Sequence, residues 1–180
     1  FYSGFKAETV TARRPVIKRH FPSWRAVADY NDSNVKAILA DKEMIRHESK
    51  VRACINNAKA IASLVASYGS VGQFIASYAP NESLENLLLL KESLEDRFSY
   101  LGGVTVYHFM TDVGLPVLKP DRVICRLFDR LGLLENEGQL LKAVIQGRKF
   151  AKATGHPIRY VDIVLVTYGQ VQSSEFGLSQ

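Results

Sequence analysis

The chain has 180 residues, 47% hydrophobic and 23% charged, which excludes disorder and suits one domain with a buried core or one compact fold of two lobes. Its 23 Lys and Arg against 18 Asp and Glu give a net charge of +5 and a pI near 9.2, a mild preference for a polyanionic partner. Two cysteines exclude a disulfide framework and any four-Cys zinc or iron–sulfur site, and the four histidines show no metal-ligand spacing, so neither metal nor cofactor is expected.

No apolar run approaches the roughly 20 residues of a membrane span, and no signal peptide is visible. Cys54 and Cys125 lie among apolar residues in helical patterns and read as buried free thiols of a cytoplasmic protein. The chain begins at Phe1 inside a helical pattern, so further residues are expected upstream, and trimming downstream is equally open.

Almost every stretch has helical periodicity and none alternates as a strand, so the fold class expected is all-α. Phe1, Phe5, Val10, Ile17 and Phe21 predict a first helix ending near Pro22. Trp24, Val27 and Tyr30 predict a short second one, and Val35, Ile38 and Leu39 a third, begun by Asp32 and Ser33 as caps. Asp41 can cap the next helix, a long amphipathic stretch from Met44 through Val65 that stops at Tyr68-Gly69. Val71 to Ala79 is a short helix closed by Pro80, and Ser83 starts another through Leu94. The remaining helices are expected at Val104 to Val113, Asp121 to Leu131, about Glu137 to Thr154, and about Pro157 to Tyr168 with Gly169 as the stop. The tail from Ser173 to Gln180 reads as frayed.

Two features carry chemistry. Leu101-Gly102-Gly103-Val104 places a glycine turn directly before a helix, and Pro120-Asp121-Arg122-Val123 places an Asp at the mouth of the next. N–H groups at a helix start have no intrahelical partner and carry partial positive charge, so such a turn can clamp a phosphate without reading sequence. Gly102, Gly103 and Thr105 are the candidate phosphate contacts, with Arg46, Lys50, Arg13, Arg14, Lys18 and Arg19 extending them or forming an ordinary solvated face.

This hairpin and Asp resemble those of the helix-hairpin-helix DNA glycosylases, and the similarity within that superfamily is to 3-methyladenine DNA glycosylase I. Three further segments carry it. Gly4-Phe5 through Phe21 resembles that family's Gly-Leu-Ser-Trp helix and the basic stretch after it. Ile45-Arg46-His47 with Lys50-Val51 and Asn57-Ala58 is similar to its Ile-Arg-His-x-x-Lys-Ile…Asn-Ala signature. Phe98, Leu101-Gly102, Tyr107, Phe109-Met110 and Gly114-Leu115 match its Phe-x-x-Val-Gly…Tyr-x-Phe-Met…Gly-Leu run. Three departures stand out. The family's terminal zinc-binding Cys and His pairs have no counterpart, Ala7 replaces an aromatic Trp, and the lesion-sensing Glu would fall before Phe1.

The resemblance implies a two-lobed, all-helical glycosylase spanning residues 1–180, with the hairpin and Asp segment at 101–132 and a cleft for double-stranded DNA between lobes. It implies a monomer active in base-excision repair on alkylated, 3-methyladenine-like purines. Asp121 would be the catalytic carboxylate or simply the N-cap of its helix. Superfamily members that cut the strand carry a Schiff-base Lys where Tyr107 stands, which implies a monofunctional enzyme. A flipped cationic base would be held on aromatic faces, with Tyr2, Phe5, Trp24, Tyr100 and Tyr107 as candidates and core packing as the alternative for each. Glu8 would read the base or be a solvated charge. Excision of uracil or mispaired adenine stays open, as does a non-catalytic DNA-binding protein.

Overall fold

A computed structural model describes residues 4–78 and 83–175, and every regular element among them is an α-helix, as the periodicity predicts. The chain divides into two units, Phe1–Leu101 and Gly102–Gln180.

The first unit carries α1 (Ala7–Ala12), α2 (Arg14–His20), α3 (Trp24–Ala28), α4 (Asp32–Ala40), α5 (Glu48–Tyr68), α6 (Val71–Tyr78) and α7 (Leu84–Arg97). The first predicted helix is thus two. Arg13 leaves helical geometry at φ −97°, ψ 4°, and Pro15, which lacks an N–H, takes the first turn of α2, where none is required. The cap of α4 is Asn31, one residue before those predicted: its Oδ1 accepts the Ser33 N–H at 2.9 Å, and Asn34 Oδ1 accepts the Asn31 N–H at 2.9 Å. The long amphipathic stretch becomes helical only at Glu48. Asp41 Oδ1 accepts the Glu43 N–H in a turn, while Met44 and Ile45 bury their side chains from the segment before α5. Gly69 ends α5 and Ser83 caps α7 as expected. Ala79 and Pro80 lie outside the described residues.

Helix α5 is the spine of this unit, with α3 and α4 packed on its Val51, Ile55 and Ala58 stripe. These positions recur every three or four residues, so one face of the helix is removed from water. A fully buried aliphatic side chain such as Val51 contributes about 1.5–3 kcal/mol. The other end of α5 packs against α6, and α6 against α7, where Phe74 is buried between the edges of Tyr68 and Tyr78.

The second unit carries α8 (Val104–Asp112), α9 (Arg122–Arg130), α10 (Leu140–Thr154) and α11 (Ile158–Glu175). Its core gathers Leu118, Ile124, Phe128 and Ala143, and the Phe128 ring stacks on Phe150 with centroids 5.7 Å apart. Helix α11 does not stop at Gly169. That glycine is a contact point, because a Cβ there would come within 2.5 Å of Val123 Cγ1, so its absence lets α11 lie close against the start of α9. Cys54 is half-buried and Cys125 buried, both unpaired with another cysteine, and burial pushes the Cys125 thiol up to about 11. No single described helix is long and apolar enough to cross a membrane.

Candidate active site and hairpin

Asp121 occupies the N-cap of α9 in extended conformation. Its Oδ1 accepts the Val123 and Ile124 N–H groups at 3.0 and 3.1 Å, and its Oδ2 lies 3.8 Å from the Lys119 Nζ. The cap reading of the sequence is therefore realised, and it accounts for only one of the two carboxylate oxygens. The short segment that presents Asp121 is tied down at several points. The Asp121 N–H donates to the Lys119 carbonyl at 2.8 Å, the Cys125 Sγ donates to the Pro120 carbonyl at 3.4 Å, and the Lys119 N–H donates to Asp162 Oδ1 at 3.3 Å.

Asp162, on α11, is only 3% exposed. Its other oxygen accepts from Arg159 at 2.8 Å. Burial raises its carboxyl above the usual range and the negative charge of Asp121 adds to this, while the Lys119 N–H and the Arg159 guanidinium oppose it. Sequence reading missed this residue. The available signal was an Asp inside the apolar run Tyr160 to Val166.

The hairpin turn lies between α7 and α8. Phe98 closes α7, and Gly103, at φ 57° and ψ −124°, is the N-cap of α8 in a region that side chains other than glycine's strain to reach. The Thr105 N–H turns back to the Gly102 carbonyl at 3.1 Å, so its amide is already engaged. Gly102 and Gly103 are exposed.

Just before those glycines the turn is braced by α5. Asn57 makes a reciprocal pair with Ser99, its Nδ2 donating to the Ser99 carbonyl at 3.0 Å and its Oδ1 accepting the Ser99 N–H at 2.8 Å. Tyr100 comes next at φ 61°, the one non-glycine residue with positive φ among those described, a conformation that costs roughly 1–2 kcal/mol. Its hydroxyl is hydrogen-bonded to Ser49 Oγ at 2.8 Å, and Ser49 is bonded to His47 Nδ1 at 3.0 Å. The Lys50 ammonium sits over the Tyr100 ring at 4.5 Å from its centroid and over the Phe5 ring at 5.4 Å. Phe5 in turn meets the His47 ring edge-on at 6.0 Å.

This places the predicted residues very differently from one another. Lys50 is 6% exposed with its charge against two aromatic rings, a setting unlike the solvated face on which a phosphate contact was expected; Arg46 is exposed. Tyr107 is 2% exposed, a buried side chain of α8, where core packing was the alternative to a base contact. Trp24 packs on the core of the first unit, with the Arg25 guanidinium 4.5 Å from its ring centroid. Glu8 is exposed on α1, and Tyr2 lies outside the described residues. Arg19 is held by Asp41 at 2.8 Å and Glu43 at 3.1 Å, while Arg13, Arg14 and Lys18 are exposed.

Every regular element among the described residues is helical, with a glycine turn before α8 and a carboxylate at the mouth of α9. The methyladenine glycosylase family model matches residues 1–119, about two thirds of the chain, and the protein belongs to that family. Membership carries a DNA glycosylase role and DNA as the substrate. The matched segment includes the signature residues Lys50 and Asn57 and the hairpin, and it ends at Lys119, short of Asp121. No solved structure matches the chain.

Proposed function

We propose that this protein hydrolyses the N-glycosidic bond of damaged, alkylated purines in duplex DNA as a monofunctional glycosylase, with Asp121 as its catalytic carboxylate. The observation that carries this reading is the division of labour at Asp121, where α9 amides engage Oδ1 and leave Oδ2 beside Lys119. Breaking the C1′–N bond sends its electron pair to the departing base and leaves positive charge on the deoxyribose. A carboxylate facing that sugar stabilises the charge and takes a proton from the attacking water, whose hydroxyl joins C1′. The target nucleotide is flipped out of the stack, since the glycosidic carbon is inaccessible within a duplex. A fixed Asp needs no reorganisation as the charge forms, and its firm mounting serves that end.

An apurinic-site assay over a panel of oligonucleotides, each with one defined lesion, tests the proposal. Release of a methylated purine with the strand left intact is the expected result, and no release from any lesion, with DNA binding retained, points to the non-catalytic alternative. The spacing of Lys119 and Asp121 favours one second reading, in which the Lys119 amine attacks C1′ and forms a Schiff base before the strand is cut. Borohydride separates the two. A trapped protein–DNA adduct that disappears in Lys119→Ala identifies a bifunctional lyase, and no adduct is expected from the hydrolytic enzyme.

A further inference from the structure

Tyr100 is held as if its ring had to be shown. It is 47% exposed although large and aromatic, and it keeps a left-handed backbone that its side chain disfavours. Three residues of α5 hold it there: Asn57 through both backbone groups of Ser99, Ser49 through the phenolic hydroxyl, and Lys50 from beneath the ring. A side chain with no task at the surface would relax to a less strained geometry or be replaced by glycine without loss. The next residues along the chain after Leu101 are the exposed glycines of the hairpin, Gly102 and Gly103.

We infer that Tyr100 is a stacking contact to DNA, meeting an unstacked base or the gap left in the duplex and not lining the pocket for the excised base. The ring has the shape of a platform: its hydroxyl edge is fastened, one face rests on a cation, and close to half of its surface is open. An ammonium on one face withdraws electron density from the ring, so the open face stacks more strongly on an electron-rich purine. Base–aromatic stacking tolerates any sequence, which suits a protein that meets duplexes of any sequence. The inference rests on the DNA glycosylase reading only in requiring DNA as the ligand, and it is independent of the role of Asp121.

The test is equilibrium binding to three probes without a lesion: intact duplex, the same duplex with a tetrahydrofuran abasic analogue, and that duplex with 2-aminopurine opposite the analogue. Tyr100→Phe keeps the ring and is expected to bind within twofold of wild type. Tyr100→Leu keeps apolar bulk without the π face and is expected to weaken binding to the abasic duplex by about fivefold or more. It is also expected to reverse the change in 2-aminopurine fluorescence that wild type and Tyr100→Phe produce. Folded Tyr100→Leu, by circular dichroism, that binds and quenches as wild type does overturns the inference. So does Tyr100→Phe losing as much as Tyr100→Leu, since the hydroxyl bond to Ser49 would then be what matters. If Tyr100→Leu lowers the far-ultraviolet signal, Tyr100→Trp replaces it: retained quenching and affinity support stacking, and their loss overturns it. Excision by wild type that is insensitive to Tyr100 sinks this inference alone, whereas ring-dependent binding without excision of any lesion sinks the catalytic proposal alone.

Discussion

The hairpin turn and the Asp121 segment are two short pieces of non-helical chain that precede helices, and they are held in opposite ways. Side chains of one long helix prop the turn: Asn57, Ser49 and Lys50 all come from α5, and the backbone they fix is strained. The Asp121 segment is held by main-chain amides, one buried carboxylate and the Cys125 thiol, and its residues keep ordinary φ values. Side-chain props can be removed singly and leave the helices intact. Amide donors at a helix start belong to the helix itself and persist as long as it does. The turn is therefore the adjustable part, whereas the carboxylate is built into the fold of its unit.

The largest effect expected from breaking this contrast is at Asp121. Asn is among the best N-cap residues, so Asp121→Asn keeps the α9 cap and changes melting temperature little, while base release falls by about 100-fold or more once the transition-state charge loses its counter-ion. Single-turnover assays beside thermal melts separate the two. A variant that melts normally and excises at the wild-type rate makes Asp121 a cap and nothing more.

Asp162 comes next. Asp162→Ala leaves the partly buried Lys119 N–H without its acceptor, a loss of about 1 kcal/mol, and frees the segment carrying Asp121. Asp162→Asn retains an acceptor oxygen and should recover most of the stability. Urea unfolding measures both, and equal losses would show that the ion pair with Arg159, rather than the bond to Lys119, is what matters.

On the turn, Asn57→Ala removes two hydrogen bonds to Ser99 and is expected to cost about 1–2 kcal/mol, with a matching drop in affinity for all duplexes alike. Replacing Gly103 by Val forces a side chain into a strained backbone region and should weaken binding in the same sequence-independent way. Affinity unchanged in both variants would remove the turn from the DNA interface.

The smallest effect concerns neither region. Asp41 is pulled down to about 2, chiefly by the His20 ring, then by the Glu43 N–H and by Arg19. A carboxyl depressed in the folded state contributes stability that is fully present above its unfolded value of 3.8 and is lost as pH falls through about 2. Asp41→Asn should therefore reduce stability at pH 6 and show a shallower acid-unfolding slope between pH 4 and pH 2 than wild type. Identical acid titrations would dissociate Asp41 from the acid stability of the first unit.

The amino-acid sequence alone determined the helical class, the starts of α7 and α9, and the end of α5, because periodicity, Ser83, Asp121 and Gly69 act through neighbours a few residues away. It also held the family signature, Lys50 and Asn57 included. Tertiary structure decided what those residues touch. Lys50 looks like any solvated basic side chain until Phe5 and Tyr100 close around it, and Tyr107 looks as accessible as Tyr100 until folding buries it. Gly169 reads as a helix stop because glycine breaks helices locally, yet α11 continues through it since Val123 fills the space where a Cβ would be. Asp162 is invisible as a partner of Lys119 because 43 positions separate them along the chain. Caps and periods are local and can be read in order, whereas burial and pairing depend on residues that only folding brings together.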